Sequence, residues 1–340
     1  MMHTPDDSDP RAQRSTSLSP PLRNVTAMRS LIDAGPPAPT PTQLRVVAEL
    51  FERDGPRPSF DPDLGRELTR VLEDSLGPVV ADVQPEDPVW VSKRALGQVH
   101  TCEGWFAAEQ ETPFAWSAAA ARGTVAHKAV ELSVTLRTPP APLDLVDIAI
   151  ERLIESDKSL GAWLLDADPA VLAQVRGDAA DWVVKFDDTF PPLQRVWRPR
   201  LESALTVELC GGRVVLRGKV DLALGRAEGT TARVLIVDFK TGRPQPVYAE
   251  DLRFYALLEA IRVGVPPYRL ATFSLDSGTW VAEDVDASVL ASAARRTVDA
   301  VAKLVSLGDG REPSLRAGLA CRWCPAAPTC AAAAALEEDR

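Results

Sequence analysis

The sequence predicts an α/β fold in which a mixed central sheet is flanked by helices and extended by further helices. Three observations point to it. Apolar residues recur at helical spacing through much of the chain before about residue 190. Strand-like runs then dominate from about 203 to 239, with Gly211-Gly212 placed as a hairpin turn. A helix, two short strands and a long helix follow.

Residues 1–40 are rich in Pro, Ser, Thr and Asp and hold few large apolar side chains, which predicts a disordered tail. Residues 41–90 form an N-terminal helical segment. Within it, Thr42 to Leu76 carries Leu44, Val47, Leu50 and Phe51 at helical spacing and is interrupted from Pro56 to Pro62. The main domain spans 91–340. It opens with a short lead-in and a helix around Trp105-Phe106-Ala107-Ala108-Glu109. A helix over 117–135 starts after Ser117 and is expected to break locally at Gly123. A polar, proline-containing linker at 138–143 leads to a mostly helical stretch over 144–190, read as part of a helical insertion of about 144–200. After the strands come a helix from Ala249 to Val263, strands near Arg269–Leu275 and Thr279–Glu283, and a long helix from Asp286, a plausible cap, to Leu307. The run Ala331–Ala335 reads as a helix tail.

Composition narrows the function classes. Among the 340 residues 45% are hydrophobic, enough for a sizeable core. The net charge of −10 argues against nucleic-acid binding by charge alone, although part of it can face metal ions and basic clusters occur at Arg295-Arg296 and at Arg311, Arg316 and Arg322. No apolar segment is long enough to cross a membrane and no signal-peptide hydrophobic region is seen, so the expected location is cytoplasmic, without membrane contact. Five cysteines without an export signal do not suggest a disulfide framework. Three of them fall within ten residues, which points to a metal or cluster site.

The chemistry concentrates in Val237-Asp238-Phe239-Lys240-Thr241, at the end of an apolar run. Strand side chains alternate, so Asp238 and Lys240 share a face and Phe239 takes the other. Charge at the end of a buried strand needs a partner or a metal. A second acid, Asp221, ends the run Val214 to Val220. Two carboxylates on neighbouring strands suit Mg²⁺ or Mn²⁺, which prefer oxygen ligands. Such an ion lowers the pKa of a bound water, and a nearby lysine can orient that water or neutralise transition-state charge. Taken alone, Asp-x-Lys also fits a surface ion pair. His127 follows Gly123 at helical spacing, with Glu131 one turn further on the same face. Asp251 and Tyr255 share a face of the helix after the Asp-x-Lys strand, where core packing is the other explanation for Tyr255.

In this order the motifs resemble the RecB-like branch of the PD-(D/E)xK nuclease superfamily, over roughly residues 90–335. Gly123-x-x-x-His127 is similar to its helical histidine motif, Gly218-x-x-Asp221 to its Gly-x-x-Asp motif, and Asp238-x-Lys240-Thr-Gly242 to its Asp-x-Lys-Thr-Gly strand. Asp251-x-x-x-Tyr255 stands where the family has Gln-x-x-x-Tyr. The resemblance implies a restriction-endonuclease-like fold and metal-dependent cleavage of DNA phosphodiesters. It assigns His127, Asp221, Asp238 and the Phe239 carbonyl to the metal. Lys240 would assist the attacking water, and Tyr255 would support the site or contact DNA.

Cys321, Cys324 and Cys330 form a C-x₂-C-x₅-C group, and Cys102 is the candidate fourth thiolate; Cys210 is expected to be a buried bystander. Four thiolates suit Zn²⁺ or an iron–sulfur cluster. One upstream and three C-terminal cysteines resemble the 4Fe–4S staple of AddB-type and CRISPR-associated RecB-like nucleases, which implies an Fe–S-clasped C-terminus. The sequence contains no G-x-x-x-x-G-K-[ST] phosphate loop, so the expected substrate is single-stranded or end-containing DNA, trimmed exonucleolytically, with unwinding supplied by a separate helicase or the ends presented by a CRISPR adaptation protein. Two alternatives stand beside this. One is a DNA-binding or assembly module of a repair or CRISPR complex with a weakened site, favoured by Asp251 and the acidic charge. The other is a zinc-stapled regulator.

Overall fold

The computed structural model describes residues 38–52, 55–242, 245 and 247–338. The tail expected at 1–40 lies, up to residue 37, outside the described residues. From Thr40 onward the chain forms one compact unit.

The N-terminal segment holds α1 (Pro41–Val46), which runs on into a π-helical turn at Val47–Phe51, and α2 (Leu64–Leu76). Thr40 and Gln43 cap α1 reciprocally. Next come β1 (Val89–Ser92), α3 (Lys93–Thr101), α4 (Glu103–Glu111) and α5 (Ala118–Thr135). α5 starts after Ser117 as expected, and Ser117 caps it, accepting from the Ala120 N–H. The expected break at Gly123 does not occur, and α5 is continuous for 18 residues. A glycine costs a helix only about 1 kcal/mol, and α5 is held by packing on both α6 (Pro142–Ser156) and α8 (Pro169–Thr189), with α7 (Lys158–Asp166) between them. The helical stretch read over 144–190 is therefore three helices.

The sheet contains β1, β2 (Arg200–Leu209), β3 (Val214–Leu224), β4 (Leu235–Lys240), β5 (Arg269–Ser274) and β6 (Thr279–Asp284). The remaining helices are α9 (Val247–Val263), α10 (Ala287–Gly308), capped by Asp286, and α11 (Ala331–Glu338). The sheet is mixed: β1 and β3 run parallel, as do β4 and β5, and the other pairings are antiparallel.

β3 organises the site. One of its edges is taken by β2, from Val214↔Leu209 to Ala223↔Arg200. The opposite edge is shared. β1 pairs with Val214–Arg217 and β4 with Leu222–Leu224. Gly218 to Asp221 lies between the two, where β1 has already turned into α3. The sheet thus splays at Asp221.

Alternation along β4 sends Leu235, Val237 and Phe239 into a core shared with α5, α6 and α8, and Ile236 into a second core shared with α2, α9 and α10. Phe239 sits in an aromatic cluster, with ring centroids 5.4 Å from Phe186 and 6.2 Å from Phe273. That packing anchors the strand that carries Asp238 and Lys240. No helix among the described residues is long and apolar enough to cross a membrane.

Candidate active site

Asp221 lies at the splay and is 8% exposed. Its Oδ2 accepts a hydrogen bond of 2.7 Å from the Phe239 N–H on β4. Its Oδ1 stands 3.5 Å from His127 Nδ1, which α5 brings over the strand. Burial works against charge on both groups, but their mutual attraction outweighs it. The Asp221 carboxyl is held below its ordinary pKa and the His127 imidazole above its own.

Glu202 completes this group. On β2 it occupies the register position across from Asp221, between Leu201↔Leu222 and Ser203↔Val220, and its φ of 49° puts it in the left-handed region. Ligand atoms of His127, Glu202 and Asp221 all lie within 4.8 Å of one another, and among the described residues this is the one such group of three or more His, Cys, Asp or Glu. A Mg²⁺-sized ion about 2.1 Å from each ligand separates neighbouring ligand atoms by about 3 Å and opposed ones by about 4 Å. The group can therefore close on one cation with small side-chain shifts. Glu202 also pairs with Lys219, and both line a cavity of ≈ 590 Å³ with His127, Glu131 and Asp221. Glu131 itself pairs with Lys128 at 2.9 Å and stays out of the ligand group.

Asp238 is 1% exposed and clamped by two ammonium groups. Lys93 donates to its Oδ1 at 2.9 Å, and Lys240 Nζ stands 2.6 Å from Oδ2. The second contact is an ion pair without hydrogen-bond alignment, so buried Oδ2 has no hydrogen-bond partner among the described residues. Lys93 reaches the site because Ser92 ends β1 and caps α3, which turns the chain at the splay. Burial would lower the Lys93 pKa, but Asp238 outweighs it and the ammonium keeps its proton.

Lys240 also lies 3.7 Å from Asp251 Oδ2 and 4.8 Å from the Tyr248 ring centroid. Burial raises the Asp251 pKa, against the pull of Lys240. Tyr255 is 2% exposed, lies 5.2 Å beneath Lys93 Nζ and has its hydroxyl pushed up to about 12, chiefly by burial. The structure thus gathers His127, Asp221, Asp238, Lys240, Asp251 and Tyr255 at one end of β4. It adds Lys93 and Glu202, which the sequence reading missed.

The profile of the PD-(D/E)XK nuclease superfamily matches residues 91–331. The chain belongs to this superfamily. Membership implies a nuclease that uses divalent metal and acts on DNA. No curated protein matches the chain. Among solved structures, a candidate exonuclease from Eubacterium rectale is 15% identical with a TM-score of 0.39, covering 66% of this chain and 84% of its own. The protein SSO0001 is 15% identical with a TM-score of 0.29, covering 62% of this chain and 95% of its own.

In this PD-(D/E)XK chain the C-terminal segment crosses back over α4. Glu103, 5% exposed, accepts from the Ser314 N–H at 2.9 Å and pairs with Arg311 at 2.9 Å. These donors, Arg311 first, hold its carboxyl down to about 2. The Arg316 N–H donates to Cys102 Sγ at 3.4 Å. Cys102, Cys321, Cys324 and Cys330 are free and half-buried. Burial, followed by the proximity of Cys102 and Cys330, raises the Cys324 thiol. No three thiols among the described residues fall within 4.8 Å of one another. Cys210, expected to be buried, is instead half-buried: it falls in the turn after β2 and packs only against the edge of the α9-side core.

Proposed function

We propose that this chain is a Mg²⁺- or Mn²⁺-dependent deoxyribonuclease acting on single-stranded or end-containing DNA as an exonuclease. The observation that carries the reading is the convergence of His127, Glu202 and Asp221 on one ligand-sized space beside the Asp238–Lys240 pair. Imidazole and carboxylate donors suit these cations. The bound ion supplies an acidified water and neutralises phosphoryl charge. Asp238 and the Phe239 carbonyl would be further ligands of such an ion. Lys240 orients the attacking water and faces the charge that develops on phosphorus oxygens. Tyr255 is a positioning residue: buried under Lys93, it sets the floor of the site. The domain is read as 91–340, with the helical block of 144–200 inserted, and the protein as acting in the cytoplasm with unwinding supplied by a separate helicase or ends presented by a CRISPR adaptation protein.

The thiols are proposed to hold a 4Fe–4S cluster. Around a single Zn²⁺ at about 2.3 Å the ligand sulfurs would stand roughly 3.8 Å apart. The thiols here form no group that tight, and a four-iron cube spreads its ligands further. The hydrogen bonds of the C-terminal segment to Cys102 and Glu103 support a clasp at this place.

The double clamp on Asp238 favours a second reading, a DNA-binding module with a weakened site. Mn²⁺-dependent degradation of labelled single-stranded DNA separates the two. The nuclease reading expects degradation by the parent, none by Asp238→Ala, and a loss of about 10²–10³-fold in Lys240→Ala. DNA binding without degradation in either parent or variant establishes the module instead.

A further inference from the structure

A second cavity, of ≈ 680 Å³, opens at the other end of the β3–β4 ladder and shares no residue with the acidic site. Leu224 and Leu235 in its wall stand three residues from Asp221 and Asp238, about 10 Å along the strands. Its chemistry departs from that of the chain as a whole. Arg57, Arg198, Arg226 and Arg233 line it beside Phe51 and Trp197, and Glu228 is the one carboxylate residue among the described residues of its wall. This concentration of positive charge occurs in a protein of net charge −10.

Three further features point to a ligand. The Arg57 guanidinium is fixed by the Phe51 carbonyl at 2.5 Å and by the Tyr268 ring, 3.5 Å from its centroid, yet its Nη1 is buried without a hydrogen-bond partner among the described residues. Buried polar atoms are almost always satisfied, so such an atom calls for a water, an ion or a ligand. Arg198 adopts φ 48°, a left-handed conformation costly for a residue with a β-carbon, held by the Gly225 N–H donating to the Trp197 carbonyl at 2.6 Å. The Arg198 and Arg226 side chains make no ion pair among the described residues, whereas Arg233 pairs with Glu228. Phe51 and Trp197 pack with centroids 4.5 Å apart and present an aromatic wall beside these cations.

We propose that this cavity binds a nucleotide: the arginines take its phosphate and the Phe51–Trp197 wall stacks its base. The nucleotide is either free or one unit of a bound DNA strand; the second source rests on the DNA reading above. The test measures binding to the full chain in EDTA, where cleavage plays no part. Deoxythymidine monophosphate and a short oligothymidylate are titrated against the parent, against Arg198→Gln/Arg226→Gln, and against the charge-matched Arg66→Gln/Arg70→Gln on α2. All these arginines are on the surface, and equal melting temperatures confirm the fold. Monophosphate binding that weakens about tenfold in the cavity variant alone assigns the cavity to free nucleotide. Oligothymidylate binding that weakens in that variant alone, with the slope of log K against log salt reduced by about 1.4 for two lost contacts, assigns it to a bound strand. Equal affinities of cavity and control variants for both ligands, or no binding of either ligand to the parent, overturn the proposal. Loss of cleavage in Asp238→Ala is independent of all these outcomes.

Discussion

Gly218 has no room for a methyl group. A β-carbon there would sit 2.6 Å from Tyr255 Cε1 and 2.9 Å from Cδ1, and the ring is too deeply buried to withdraw. Gly218→Ala should cost about 1–3 kcal/mol, lower the melting temperature by several degrees, and reduce cleavage by tilting the ring under Lys93. Unchanged melting would show that the ring yields. The glycine of the Gly-x-x-Asp motif is thus explained by its neighbour and not by its own backbone. Asp238, Lys240 and Asp221 were legible because strand period two fixes which side chains share a face. Lys93 was not, since it arrives from 145 residues away across a strand–helix junction. Glu202 was within reach of the sequence. Residues equidistant from the Gly211-Gly212 turn face each other across the hairpin, and counting outward pairs position 202 with Asp221.

At the scale of elements, α3 and α10 meet at His100. Its Nε2 lies 3.0 Å from the Arg296 carbonyl, and its Nδ1 lies 3.5 Å from both Lys303 Nζ and Asp299 Oδ2. Burial, then the Arg296 and Lys303 charges, hold the imidazole down to about 4, with Asp299 opposing. The sign follows from linkage. The folded state keeps His100 neutral, while an unfolded imidazole titrates near 6.5. Stability is therefore complete above about pH 6.5 and falls as pH drops toward 4. Thermal melts across this window should show the decline, and His100→Gln should flatten it. An unchanged pH slope in the variant would remove His100 from the account. Elements with strong periodicity, such as the helix capped by Asp286, were legible from the sequence. Gly123 was misread because a local penalty of about 1 kcal/mol loses to tertiary packing on two helices.

Across the whole molecule, the clasp between Cys102 and Cys321–Cys330 would close a loop of about 220 residues, worth roughly 5 kcal/mol in the chain-entropy treatment of a cross-link. Cys324→Ala should therefore lose iron from anaerobically purified protein and melt markedly lower; iron-free parent protein with the same melting temperature as the variant would contradict the staple. The cysteine spacing was legible, but the Glu103–Arg311–Ser314 seam that lays the C-terminus over α4 was not, because it pairs side chains more than 200 residues apart. The splay of β3 is the architectural consequence on which the catalytic reading depends, since it opens the sheet where His127, Glu202 and Asp221 meet. Mn²⁺ titration of the DNA-free protein by calorimetry tests that meeting point directly. The parent should bind Mn²⁺, and Asp221→Asn, which can still accept from the Phe239 N–H, should bind it at least roughly 10–100-fold more weakly. Equal Mn²⁺ affinity in the two proteins would contradict the account.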